Sequence, residues 1–331
     1  MPAAFSSCEF LQGGLAFRLG SVAACGVIHH GRGTPVLGAF AGDPADLHEF
    51  LAHRRSIADG SDPACEGCPY LKTQEWPELQ HSVTWVGITH FNTCNLECEY
   101  CWLQWADYSP RKPGAREPKA YPIFPIIKEL VDKELLAHDA IIDWGGGGES
   151  TLLPDFDDAF FLLDEYGATQ WLHTNAVRMP RRLGEGRLRS PVRVLCSIDA
   201  GRPETYFAMK NRDKLPLVLE NLMTYTRAGA YVAAKYIVTE ANCSFDELDA
   251  FFEAMRVLRP DEVVADTDLR YPNAKREIIE ALGYLAWRCE VDHIPFQFGS
   301  TGINHDRGYD LPARAKIAWR RLKKSAAAGV A

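Results

Sequence analysis

Three cysteines fall within one short run of the chain, Phe91-Asn-Thr-Cys94-Asn-Leu-Glu-Cys98-Glu-Tyr-Cys101-Trp102. The C-x3-C-x2-C spacing places three thiolates on one loop, where a cubane iron–sulfur cluster takes four ligands. A [4Fe–4S] cluster held this way keeps one iron open to a small molecule, a catalytic arrangement rather than a purely electron-carrying one. A zinc loop or three unrelated thiols are the competing readings. Zinc sites usually pair two C-x2-C halves, and this loop is not such a half.

The segments around the loop alternate between two periods. Ser82–His90 alternates toward apolar and ends at the cysteines, and Pro122–Ala137 has helical apolar spacing. Ala140–Trp144 reads as a buried second strand running into Gly145-Gly-Gly-Gly-Glu149, and Pro154–Tyr166 as a second helix entered through Pro and Asp. Thr169–Asn175, Val192–Asp199, Tyr231–Thr239 and Glu262–Leu269 are expected as further strands, with helices over Glu204–Ala228, Phe245–Leu258 and Asn273–Cys289. Strands alternating with helices of this length argue for βα units and a parallel sheet. Periodicity alone fits a partial barrel and a flat doubly wound sheet equally. In either, working residues belong at the C-terminal strand ends, where the cysteine loop, Glu149, Asn175, Asp199 and Asp268 fall.

The loop resembles the signature of the radical S-adenosylmethionine (SAM) enzymes, C-x3-C-x-aromatic-C, with Tyr100 in the aromatic position. The Gly-Gly-Glu strand end one strand later resembles the same family's, and glycine's missing Cβ lets a ligand sit against bare peptide groups. The resemblance implies an α/β fold with a partial (β/α)6 barrel over residues 81–295, in which Cys94, Cys98 and Cys101 hold the cluster and SAM chelates its open iron. It places Gly147, Gly148 and Glu149 at the methionyl amino group, Ser197 and Asp199 in polar contact with SAM, Arg212 at its carboxylate and Tyr100 against its adenine. Asp199 could instead cap the helix starting near Pro203, and Arg212 could be an ordinary surface cation. The implied reaction is reductive cleavage of SAM to a 5′-deoxyadenosyl radical, fed by a flavodoxin- or ferredoxin-type electron donor, then hydrogen abstraction from substrate.

Ten cysteines in a chain without a secretory-signal pattern are better read as metal ligands than as disulfides. Cys8, Cys25, Cys65 and Cys68 precede the barrel, with a strand-like segment, Leu15–Leu19, between the first two. The set resembles the four-cysteine auxiliary cluster of SPASM-type domains, although those usually follow the barrel. Residues 1–80 are therefore expected as a small cysteine-rich auxiliary domain with a second [4Fe–4S] cluster; a structural zinc site or a redox pair are the alternatives. Residues 296–331 form the expected C-terminal extension with a basic tail. Cys196 and Cys289 read as small core hydrophobes, and Cys243, at the rim after the fifth strand, as packing or as a hydrogen-atom donor.

The net charge of −8 is uneven, since six Lys and Arg and no acid in the last nineteen residues leave −14 on the preceding 312. An acidic body argues against a nucleic-acid groove and favours a cationic or neutral substrate. No apolar run approaches the ~18–20 residues that span a bilayer, so a cytoplasmic chain without a membrane partner is expected. His90, His173, Asn175, Lys235, Asp266 and Asp268 are candidate substrate walls, with Trp102, Trp105 and Arg270 beside them. Asp266 and Asp268 share face parity on a strand, and paired carboxylates suit an amine- or hydroxyl-rich ligand such as an amino sugar. The Pro-, Gly- and charge-rich linker Arg111–Lys119 reads as a lid or a plain surface loop.

The expected function is hydrogen abstraction from a polar small molecule. It ends in epimerisation if Cys243 returns a hydrogen, or in oxidation if the auxiliary cluster takes the electron. A peptide-modifying radical SAM maturase, for whose leader-peptide module no spare segment is found, and a non-enzymatic Fe–S or zinc protein are the alternatives.

Overall fold

Seven strands lie side by side in strict chain order, all parallel, and this order decides the architecture. The computed structural model describes residues 5–26, 35–68, 70–76, 82–101, 120–145, 147–268, 275–299 and 311–327. Before the seven come β1 (Phe5–Ser7), α1 (Glu9–Gly13), β2 (Gly14–Arg18), β3 (Ser21–Ala23), β4 (Val36–Ala39), α2 (Leu47–Ala58) and β5 (Lys72–Gln74). The seven are β6 (Val83–Thr89), β7 (Leu136–Trp144), β8 (Thr169–His173), β9 (Val192–Ser197), β10 (Tyr231–Val238), β11 (Glu262–Thr267) and β12 (Phe296–Phe298). Between them run α3 (Phe124–Asp132), α4 (Phe156–Tyr166), α5 (Pro203–Lys210), α6 (Leu215–Ala228), α7 (Phe245–Leu258) and α8 (Arg276–Val291), and α9 (Leu311–Ala327) follows.

A doubly wound sheet reverses its strand order and covers both faces with helices. Here there is no reversal, and from Ala140 of β7 through β9 burial alternates from residue to residue. Ile142, Leu172, Val194 and Tyr236 are fully buried under the helices. Their strand neighbours Asp143, His173, Arg193 and Lys235 keep part of their surface open. One helical layer outside and one open polar wall inside is a partial α/β barrel. Beneath the helices the layer is closed by aromatic packing and a satisfied amide: Trp144 packs edge-on against Phe156, and its Nε1 donates to Gln170 Oε1 at 3.0 Å.

The N-terminal segment is continuous with this sheet. Strand β2 pairs in parallel with β6, Gly14 opposite Trp85 through Arg18 opposite Thr89, and β3 and β4 extend that edge antiparallel. Strand β1 pairs with β5 in a separate two-stranded ribbon. Among the described residues no helix is long and apolar enough to cross a membrane.

Several expected boundaries move for identifiable reasons. The helix expected to reach Ala137 stops at Asp132, because Glu134 takes a left-handed φ of 54° and the chain re-enters the sheet at Leu136. The single helix expected over Glu204–Ala228 is two helices, broken where Asn211 turns left-handed (φ 55°) and restarted at Leu215 with a proline in the first turn. The three-residue β12 carried too little periodicity to be expected. Trp102, Trp105, Arg270 and the linker Arg111–Lys119 lie outside the described residues.

His90, expected at the rim, is instead a core residue with no exposed surface. Its Nε2–H donates to the Tyr121 carbonyl at 2.8 Å and its ring stacks on Tyr121, while Nδ1 has no partner. Burial pushes its pKa down to about 4. The unfolded chain therefore binds a proton that the folded chain excludes, and stability falls as pH drops from roughly 6.5 toward 4. Urea denaturation across that window should show the decline in wild type and a flatter profile in His90→Gln.

Candidate active site

Two main-chain seams hold the cysteine loop. On one side Gly148 N–H donates to Phe91 O (3.0 Å) and Glu149 N–H to Thr93 O (2.8 Å), so the chain beyond β7 runs along the first half of the loop. A Cβ on Gly147 would stand 1.9 Å from Phe91 O, and one on Gly148 2.0 Å from Thr93 O, so neither position admits a side chain. On the other side Glu97 N–H donates to Lys210 O (3.2 Å) and Glu99 N–H to Met209 O (3.1 Å), at the C-terminal end of α5. The loop also closes on itself through Cys101 N–H to Cys98 O (3.1 Å).

The thiols fit the cluster that the spacing implies. Leu96 N–H and Asn175 Nδ2 stand 3.5 and 3.6 Å from Cys94 Sγ as donors, which a thiolate ligand would use. Burial pushes Cys94 up to about 11, and Cys98 is also raised by burial, with Lys210 pulling it back. Three soft sulfurs on a backbone already fixed at both sides suit iron–sulfur chemistry. Among the described residues no three His, Cys, Asp or Glu side chains stand at metal-ligand separation. The thiols would therefore close on a cluster by side-chain rotation.

Glu149 is buried, and its carboxylate is engaged within the protein. Oε1 accepts from Thr151 Oγ1 (2.7 Å) and Thr174 Oγ1 (2.6 Å), and Oε2 from Asn175 N–H (2.7 Å). Burial raises its pKa while these bonds hold it down. What Glu149 presents to the cysteine loop is its backbone amide; its side chain ties the end of β7 to the end of β8.

Beneath the loop lies a buried group that sequence reading did not assemble. Lys210 Nζ donates to Asp199 Oδ2 and to the Tyr100 hydroxyl, Tyr100 OH donates to Asp199 Oδ2, and Ile237 N–H donates to Asp199 Oδ1 at 2.6 Å. Asp199 has no exposed surface and Lys210 only 1%. Burial works against the Lys210 charge, but Asp199 and Cys98 outweigh it and hold the ammonium above its usual range. Asp199 and Tyr100, both expected against SAM, meet each other here. Arg212, the cation expected inside, is half-exposed and pairs with Glu97 at 2.9 Å. The signal for Lys210 was its place two residues before Arg212 in Met209-Lys-Asn-Arg-Asp213, but only the helix break at Asn211 turns it inward.

The remaining candidates are spread out. Ser197 is half-buried on the inner wall, in register with Lys235. Cys243 donates its thiol to Glu240 O at 3.6 Å, and Glu277 and Glu240 are the charges that act on it, so it is not brought to the cysteine loop. The four N-terminal cysteines come from separate elements, and among the described residues they form no group at metal-ligand separation. Cys8 follows β1, whose pairing with β5 brings it beside Leu71, and Leu71 N–H donates to Cys68 O (3.1 Å). Cys68 N–H in turn donates to Cys65 O (3.0 Å). The Cys65 thiol is pushed up to about 12 by burial first, then by Cys25, Cys8 and Cys68.

Removing either side chain beside Asp199 should be costly in a graded way. Lys210→Met leaves a buried carboxylate without its cation and is expected to cost about 3–5 kcal/mol. Tyr100→Phe removes one hydroxyl partner and is expected to cost about 1–3 kcal/mol. Urea denaturation of the full chain under anaerobic, reducing conditions checks both values and their order. Because the Lys210 pKa is raised, its contribution should persist at neutral pH and fade only as pH climbs above about 10.5.

Comparison with known proteins gives a mixed set of distant likenesses. SuiB of Streptococcus suis, in a crystal structure with its precursor peptide SuiA, is 12% identical, with a TM-score of 0.49 over 83% of this chain and 58% of that one. Native anSMEcpe with bound AdoMet is 15% identical, with a TM-score of 0.46 over 63% of this chain and 62% of that one. The GTPase Obg of Brachyspira hyodysenteriae is 23% identical over 223 residues, 62% of this chain and 32% of its own length. The present chain contains no Gly-Lys pair, which a phosphate-binding loop of the G-x4-G-K-[ST] type requires. It spans less than two thirds of each of these three proteins. Residues 88–239 match the Radical SAM superfamily. With the three-cysteine loop, the strand end at Glu149 and the Asp199–Lys210 pair all inside that match, the chain carries a radical SAM superfamily domain.

Proposed function

We propose that the protein is a radical SAM enzyme that abstracts hydrogen from a polar small molecule held against the inner wall of its barrel. The observation that carries this reading is the double seam on the cysteine loop. It fixes the loop's main chain from both sides and leaves Cys94, Cys98 and Cys101 to present sulfur at the mouth of an open polar wall. When bound, the cluster and SAM supply one-electron cleavage to methionine and a hydrogen-abstracting 5′-deoxyadenosyl radical. In this reading the glycine-lined edge at Gly147, Gly148 and Glu149 meets the methionyl group, and Ser197 offers a polar contact from the wall. Tyr100 and Asp199 act from beneath, through Lys210, and Arg212 holds the outer side of the loop through Glu97.

Cys8, Cys25, Cys65 and Cys68 in residues 1–80 would hold the second [4Fe–4S] cluster, a reading supported by the β1–β5 pairing that brings the chain at Cys8 toward the turn at Cys65–Cys68. Of the two outcomes, oxidation is better supported than epimerisation, because the Cys243 thiol is directed to Glu240 O. A sugar or amino sugar is the substrate class we favour, and a flavodoxin- or ferredoxin-type protein the electron donor. Thiol-rich ligand sets suit a reducing compartment, which supports a cytoplasmic location in this reading.

Anaerobic reconstitution with iron and sulfide tests the reading. Wild type should take up about eight irons and a Cys94/Cys98/Cys101→Ala triple variant about four. With SAM and dithionite, only wild type should release 5′-deoxyadenosine. A fully loaded wild type that releases none, with or without candidate substrates, would sink the enzyme assignment. Zinc retained at the N-terminal set would reassign those cysteines to structure. Assembly should also depend on pH. Cys94 at about 11 and Cys65 at about 12 must shed protons to bind metal, so cluster yield should rise between about pH 6.5 and pH 8.5.

A further inference from the structure

Two residues before Gly145, the inner wall carries a carboxylate that no Lys or Arg among the described residues pairs with. Asp143, on β7, has a buried Oδ1 with no hydrogen-bond partner among the described residues; His173 Nε2 on β8 stands 3.5 Å from it. Two other pairs on this wall are matched among the described residues. Lys235 pairs with Asp266 at 3.0 Å and Arg193 with Glu262. The Asp266 carboxylate, expected to work with Asp268 as an open pair, is thereby engaged. Access to Asp143 is built in. A Cβ at Gly145 would stand 2.7 Å from Asp143 Oδ1 and 3.5 Å from His173 Cδ2, so glycine keeps open the space above the pair. The His173 side chain is 45% exposed.

The pair is also correctly placed for a substrate. His173 ends β8, and two residues later Asn175 Nδ2 contacts Cys94 Sγ, so the chain leads directly from the pair to the cysteine loop.

We propose that the Asp143–His173 pair binds the ammonium group of the substrate, and so that the barrel takes an amine-bearing small molecule. This rests on the reading of the inner wall as the substrate cavity. An ammonium supplies the one element the wall lacks, a cation with N–H donors for Asp143 Oδ1. A neutral imidazole at His173 then accepts a second N–H. A bound ammonium would hold the Asp143 carboxylate ionised against its burial. Burial raises the Asp143 pKa, with His173 opposing, and burial lowers that of His173, with Lys235 and Arg193 adding to the effect. An anionic substrate would meet Asp143 with like charge. A neutral one would leave the charge uncompensated.

Saturation-transfer NMR on the reconstituted protein tests this with three probes of one shape, n-butylammonium, n-butanol and butanoate. Transfer is expected to n-butylammonium alone, and to be lost in Asp143→Asn. Should that variant fail to fold, wild type decides the matter by itself. The n-butylammonium signal should fall reversibly as pH is lowered through the Asp143 pKa, because the probe stays cationic while its carboxylate partner is protonated. Equal transfer to all three probes, preference for butanoate, or an ammonium signal untouched by both Asp143→Asn and acidification overturns the proposal. Release of 5′-deoxyadenosine from the same preparation, without substrate, reports separately on the enzyme assignment. A protein that cleaves SAM without ammonium selectivity fails here only, and one that binds ammonium without cleaving SAM fails there only.

Discussion

The ion pair between Asp199 and Lys210 is the interaction on which the site depends. Taking two ions out of water costs several kcal/mol each, and such a pair persists only where further hydrogen bonds complete it. Here Tyr100 OH and Ile237 N–H complete the carboxylate, and Asn242 Nδ2 grips the Asp199 and Ile237 carbonyls together at 2.9 Å each. Asp199 accepts a left-handed φ of 59° to make this geometry. The pair joins the end of β9, the start of the chain beyond β10, the cysteine loop and the C-terminal end of α5. Because the Lys210 and Met209 carbonyls hold Glu97 and Glu99, whatever fixes Lys210 also fixes one edge of the loop.

The other edge works by the opposite means, absence of side chains. Gly147 and Gly148 lie so close to the Phe91 and Thr93 carbonyls that only bare backbone fits, and the resulting amide contacts align the loop with the sheet. Glu149 then buries its carboxylate among Thr151, Thr174 and Asn175. This division leaves positioning to main chain and chemistry to sulfur. It also explains why the most prominent acid in the motif serves the fold.

The barrel's inner wall is polar because the helices cover only one face of the sheet. Charged residues there need no helix to neutralise them, only each other: Lys235 pairs with Asp266 on the neighbouring strand, and Arg193 reaches across β10 to Glu262. The N-terminal segment contributes a strand to the same sheet, so the distance between its four cysteines and the barrel is set by β-ladder hydrogen bonds, not by a linker.

Much of this was legible beforehand. The three-cysteine loop, the glycine run and strands β6 and β8 to β11 can be read from spacing and alternation, because ligand chemistry and period-two burial are local properties. Glu149, Tyr100, Asp199 and Arg212 were legible as positions but not as partners. Asp199 lies 99 residues from Tyr100 and 11 from Lys210, and nothing local distinguishes a carboxylate that meets a ligand from one that meets a lysine. Strand order, and with it the choice between partial barrel and doubly wound sheet, was likewise beyond periodicity, since it depends on which segments pair and not on the pattern within any one of them. The sequence by itself determined which atoms can bind metal and which segments can be strands. Only the tertiary structure decided which charges are spent on one another and which, at Asp143 Oδ1, is left without a hydrogen bond among the described residues, because pairing across strands depends on register and curvature that no single segment contains.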